Sequence, residues 1–143
     1  MERLEHWEQA LNAFVSNHRD RPFAWGQWDC ILMACSAVEA ITGADPASAY
    51  RGRYGDAQGA ARALREIGLG TLIRTMNATF PRRAVSKARR GDLVMAAGAA
   101  GVCIGAEAVF VGEERLAEAA GISMREGLVT IPRALWSKAW TVG

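Results

Sequence analysis

Trp25-Gly26-Gln27-Trp28-Asp29-Cys30 leads without a break into the apolar run Ile31-Leu32-Met33-Ala34-Cys35-Ser36-Ala37-Val38-Glu39-Ala40-Ile41. Within that run Ile31, Ala34, Cys35, Val38 and Ile41 recur at helical spacing and predict a broad apolar face, so this is the expected central helix. Asp29 stands where its carboxylate can accept the unpaired N–H groups of a first turn. Gly43 and the turn-prone Ala44-Asp45-Pro46 supply the stop. The stretch thus sets Cys30 at a helix start, where the dipole and free N–H groups favour a thiolate. A cysteine nucleophile also needs a base, most often histidine. The chain has two histidines, His6 and His18, and both precede Cys30.

Outward from this stretch, the chain divides into a helical half and a strand half. Leu4, Trp7, Leu11, Phe14 and Val15 predict a first helix over 4–15, and a polar loop, Ser16 to Arg21, follows it. A third helix is expected over 57–67 with Ala60, Ala61, Leu64 and Ile67 as its stripe and Gly68 as its stop. Thr71 can cap a short fourth helix that buries Leu72, Ile73 and Met76, before Pro81 breaks the pattern. A basic stretch, Arg82 to Arg90, leads to Gly91-Asp92. Beyond it, 93–95, 102–104, 108–111 and 128–131 are short apolar runs separated by glycines and read as an antiparallel meander. Residues 139–142 offer a last strand, while 115–120 suit helix or strand equally. Helices followed by strands predict an α+β domain, with N-terminal helices packed on a C-terminal antiparallel sheet.

The chain's 143 residues suit one domain, 1–143, and half of them are hydrophobic, enough for a sizeable core. A formal charge of +2 does not call for nucleic acid. No apolar run approaches membrane-spanning length, and the charged N-terminus lacks the apolar core of a secretion signal, so the chain is expected to stay in the cytoplasm unless it is carried out. Three cysteines, Cys30, Cys35 and Cys103, do not make a disulfide framework. Cys30 and Cys35 point about 140° apart on a helix. With no C-x-x-C or H-E-x-x-H pattern, neither metal nor cofactor is expected.

The order of elements carries a resemblance. Asp29-Cys30 opening a helix, then Gly91-Asp92-Leu93-Val94, then the glycine-punctuated strand Ala99-Ala100-Gly101-Val102-Cys103-Ile104-Gly105 resembles the NlpC-like cell-wall peptidases, a branch of the papain-like fold. In that family a strand of the form H-V-G-I-Y-L-G supplies the base, and the matching position here is Ala99. The family's third polar residue has no counterpart in Ala108-Val109-Phe110-Val111. The Trp-Gly approach to Asp-Cys, the segment Arg51-Gly52-Arg53-Tyr54, the Gly-Val-Cys strand and the closing Ala-Trp are similar to small proteins of phage and prophage tail modules.

The resemblance implies a papain-like NlpC-type domain serving as a tail-tip or tail-assembly protein, a virion component built on a catalytically inactive peptidase scaffold. It implies other tail proteins (hub, distal tail or tip subunits) as partners, with peptidoglycan as a further one. It places the chain in the virion tail after assembly in the bacterial cytoplasm. The alternative it implies is an active cysteine peptidase or amidase that cuts peptidoglycan stem peptides with Cys30 as nucleophile.

Within that frame His18 is the outside candidate for a base, since its loop could fold back over Cys30. Trp25, Trp28, Asp29 and Ala99 are the expected cleft, although either tryptophan could instead plug the core edge. Cys103 is expected as a core thiol under the central helix, on the face it shares with Ala99. Tyr50, Arg51, Arg53 and Tyr54 form an arginine–tyrosine segment of the kind favoured at interfaces, or else a turn held by its own contacts. Trp136 and Trp140 are expected to fasten the last segment to the sheet. The Arg82–Arg90 stretch reads as a solvated loop.

Overall fold

Asp29 opens the central helix as its position in the sequence predicts. In the computed structural model, which describes residues 1–143, helix α2 spans Cys30–Thr42, and the Asp29 carboxylate accepts the Leu32 N–H at 3.0 Å. Gly43 ends it in the left-handed conformation, φ 81°. The apolar surface of α2 is wider than one stripe: Leu32, Met33, Ala34, Cys35, Ala37, Val38 and Ile41 are all buried. Such a helix must be covered on nearly every side.

Helix α1 (Trp7–Asn17) covers one side with Leu11 and Phe14. It begins later than the periodicity predicts, because Leu4 is exposed and its N–H donates to the Ile41 carbonyl. Helix α3 (Ala57–Glu66) starts at Asp56, whose side chain accepts the Gly59 N–H at 2.7 Å. Its inward stripe is Ala60, Ala63 and Leu64; Ala61 and Ile67, expected inside, are exposed. Helix α4 (Leu72–Thr79) is capped by Thr71 as expected and buries Met76.

The strand half is one six-stranded antiparallel sheet. Its strands are β1 (Arg82–Arg83), β2 (Leu93–Ala96), β3 (Ala99–Cys103), β4 (Glu107–Glu118), β5 (Gly121–Pro132) and β6 (Lys138–Trp140), in the spatial order β1-β6-β2-β3-β4-β5. The meander is β2 to β5, and β6 returns beside β2. The ambiguous residues 115–120 belong to a long hairpin, β4 with β5, in which only Ala108 and Val109 pair with β3. Its outer part is a two-stranded arm.

Strand alternation divides the apolar residues between two faces. Leu93, Met95, Ala100, Val102, Val109 and Trp140 meet the helices. Val94, Ala96, Cys103, Ala108, Phe110 and Ala139 face the other way, under Trp136 and Ala88. Cys103 is therefore not packed under the central helix, which corrects its expected place. Gly101 shares its face: a Cβ there would come within 2.6 Å of the Phe110 ring, so only glycine admits that ring. Both C-terminal tryptophans fasten as expected. Trp140 Nε1 donates to Asn77 Oδ1 of α4 at 2.8 Å, and Trp136 Nε1 to the Ile131 carbonyl at 3.0 Å.

Candidate functional site

The approach to Cys30 is a tight loop held by one carboxylate. Ala24 and Trp28 exchange backbone hydrogen bonds, and the Gly26 N–H donates to Asp29 Oδ2 at 3.2 Å. Gly26 has φ 73°, and a Cβ there would lie 1.9 Å from the Tyr54 carbonyl oxygen, so the loop closes only with glycine. The Tyr54 hydroxyl donates to the same Asp29 oxygen. Asp29 is 2 % exposed, and its two oxygens take three hydrogen bonds from the chain itself. Burial and the Asp29 carboxylate push the Tyr54 phenol well above its usual range.

Cys30 is half-buried beside this loop. Burial pushes its thiol up, and the Asp29 charge adds to that effect. The backbone of Ala100, then that of Ile31 and of Cys30 itself, opposes the rise without reversing it. At this helix start the effect of burial outweighs that of the backbone. Cys35, five residues on and 4 % exposed, is pushed up to about 12 by burial, with Asp45 adding to it. All three cysteines are free thiols. No group of three or more His, Cys, Asp or Glu side chains converges as a metal site would require.

Cys30 lines a cavity of about 260 Å³ that lies among α2, α3, α4 and the turn 46–54. Leu32, Tyr50, Tyr54, Leu64, Leu72 and Met76 are among its walls. Phe23 and Trp25 stand at its rim, 43 % and 41 % exposed, as an edge-to-face pair 4.9 Å apart. Of the expected cleft residues, Trp25 and Asp29 line this cavity. Trp28 does not: it is 2 % exposed and belongs to the main core, which settles its place as a plug.

Ala99 is also not in the cleft. Ala97 and Gly98 both adopt positive φ, 49° and 79°, and join β2 to β3 as a two-residue hairpin. That turn sets Ala100 toward α2 and Ala99 toward the opposite face. The backbone of Ala100, rather than a side chain of residue 99, meets the Cys30 sulfur.

His18 takes no part in this cavity. Its ring packs on Phe14 and Trp28 at 4.8 and 4.7 Å between centroids. Burial, then the Arg21 charge, hold its pKa below the usual imidazole value. His6 is exposed ahead of α1. The cavity lining contains no histidine, lysine or glutamate.

The arginine–tyrosine segment is a turn tied to the fold by its own contacts, one of the two readings its sequence allows. Arg51 pairs with Asp45 at 2.7 Å and donates to the Leu32 carbonyl, Tyr54 holds Asp29, and Tyr50 lines the cavity. Arg53 alone of the four is exposed. The basic stretch is tied at some of its side chains, while Arg82, Lys87 and Arg89 stay exposed as a solvated loop would have them. Arg82 lies over the Trp140 ring, Arg83 is 3.5 Å from Asp92, and Arg90 donates to the Ile104 carbonyl and to Asn12 Oδ1.

Two contributions escaped the sequence reading. The walls from α3 and α4 were missed because their inward stripe is short. Asp92 was missed as a hub. It is fully buried, pairs with Arg3 at 3.1 Å, and accepts the N–H groups of Val142 and Arg89.

No curated protein and no solved structure gives a significant match to this chain. Among protein families, the one described as a domain of unknown function, DUF6950, matches residues 2–142. That match spans nearly the whole chain, helices, cavity and sheet alike, and the chain accordingly belongs to the DUF6950 family.

Proposed function

We propose that this chain is a non-catalytic relative of the NlpC-like peptidases that works as a phage or prophage tail-tip or tail-assembly component. The observation that carries the non-catalytic reading is the surroundings of Cys30. Its thiol is raised by burial and sits in a wall without a histidine. A cysteine hydrolase must move a proton off the thiol and onto the leaving amine. Neither Asp29, committed to three hydrogen bonds, nor the raised Tyr54 phenol is fitted to that task. The papain-like ancestry is supported by the cysteine-bearing helix packed on an antiparallel sheet, in the element order of the resemblance. The tail setting rests on the sequence resemblance alone.

The test has two arms. Purified chain is incubated with muropeptides and stem-peptide cleavage is followed by mass spectrometry. No cleavage above that of Cys30→Ala is expected; cleavage that Cys30→Ala abolishes would overturn the non-catalytic reading in favour of the peptidase or amidase. In the second arm the gene is deleted from an inducible prophage and particles are examined by electron microscopy. Tailless or tip-defective particles are expected, and normal infectious tails would remove the tail assignment.

A further inference from the structure

The cavity beside Cys30 has a wall with almost no free polarity. Its one ionised group, Asp29, is enclosed and fully engaged. Tyr54 spends its hydroxyl on that carboxylate. Thr75 and Thr79 spend theirs on the carbonyls of Thr71 and Thr75 within their own helix. What remains is aliphatic and aromatic surface, the Cys30 and Cys35 thiols and the Tyr50 hydroxyl. An ion entering this space would lose its hydration and find no partner. A neutral apolar group would gain from leaving water by about 25 cal/mol per Å².

Size narrows the class. An apolar protein cavity of about 150 Å³ takes benzene. This one, at about 260 Å³, has room for more. The exposed Phe23–Trp25 pair at the rim extends the apolar surface outward, where an entering ring or chain would meet it first.

We propose that the cavity walled by α2, α3, α4 and the Phe23–Trp25 rim binds an uncharged apolar small molecule of about ten carbon atoms, an aromatic bicycle or a medium-length aliphatic chain. The proposal rests on the non-catalytic reading, since a thiol used for acyl transfer would need the same space for its substrate.

The probes are 1-naphthol, 1-octanol and the charged analogue 1-naphthoate, titrated into the full chain at pH 8. Occupancy is read by the rate at which N-ethylmaleimide modifies Cys30, localised by mass spectrometry. Saturating 1-naphthol or 1-octanol should slow that modification at least ten-fold, and 1-naphthoate should bind at least ten-fold more weakly. Ala60→Phe, which fills the cavity from α3, should abolish binding of both neutral probes. If that variant does not fold, protection of Cys30 in the unaltered chain still decides. An unchanged Cys30 rate at saturating probe would overturn the proposal, as would equal binding of 1-naphthoate. Protection by a blocked tryptophan peptide but by neither neutral probe would also overturn it, in favour of a protein anchor. The two readings fail separately. Stem-peptide cleavage would end the non-catalytic reading whatever the probes do, and an unprotected Cys30 would end this one with cleavage still absent.

Discussion

Asp29, expected both as a helix cap and as part of the cleft, is held in the fold by three donors of the chain itself. The Asp-Cys pair was legible because an N-cap is a local device, satisfied within three residues. That Tyr54 would claim the same carboxylate was not legible, because the contact spans 25 residues. Tyr54→Phe removes a donor to a buried carboxylate, and a loss of about 1.5–3 kcal/mol is expected from urea unfolding. Cys35 makes a second prediction at this scale. Its thiol stays protonated up to about 12 in the folded chain, whereas an unfolded thiol ionises near 8.5. Above about pH 8.5 the unfolded state therefore binds fewer protons than the folded one, and stability falls as pH rises, by up to about 1.4 kcal/mol per pH unit. Unfolding curves at pH 8, 9 and 10 should show that decline, and Cys35→Val should make it shallower, with Cys30 and Cys103 keeping their own share. An unchanged slope in the variant would mean that Cys35 is not the group responsible.

Among the elements, the two apolar helices differ in how far their periodicity could be trusted. Helix α2 is apolar on nearly every side, so any helical reading of it buries the right residues. Helix α3 is short and mixed; its inward stripe keeps Ala60 and Leu64 of the expected set but takes Ala63 in place of Ala61, and Ile67 is left 42 % exposed. Two substitutions separate the cases. Ile41→Ala, at a fully buried position, should cost about 2–5 kcal/mol, whereas Ile67→Ala should stay within about 0.5 kcal/mol. Thermal melts of both variants check this, and similar losses would mean that α3 sits otherwise. The hairpin of β4 and β5 adds a third prediction. Its outer part has no third strand, and a lone two-stranded ribbon is marginal in water. Amides of 113–118 and 121–126 should exchange with solvent well before those of 108–110, as hydrogen-exchange mass spectrometry would show. Equal protection would point to a covered arm.

At the scale of the whole molecule, Asp92 joins both ends of the chain to the sheet. Arg3 from the N-terminus, Val142 from the C-terminus and Arg89 from the basic stretch converge on it, with Arg83 close by. Asp92→Ala strands buried or half-buried donors, and a loss of about 3–5 kcal/mol is expected. If the hub is one unit, Arg3→Ala and Asp92→Ala combined should cost less than their sum. Strict additivity in that double-mutant cycle would break the hub into independent contacts. Taken alone, the sequence determined the α+β class, the helix beginning at Asp29-Cys30 with its Gly43 stop, the Thr71 cap and the meander, because caps, stops and periodicities are settled among neighbouring residues. Only the tertiary structure decided that Ala100 rather than Ala99 meets Cys30, that Cys103 lies on the far face, that Trp28 plugs the core while Trp25 stands at a rim, and that an apolar cavity opens beside the thiol. A one-residue change of parity at the Ala97–Gly98 turn would exchange every inward and outward side chain of β3, and that parity is set by packing against helices more than fifty residues away in the chain.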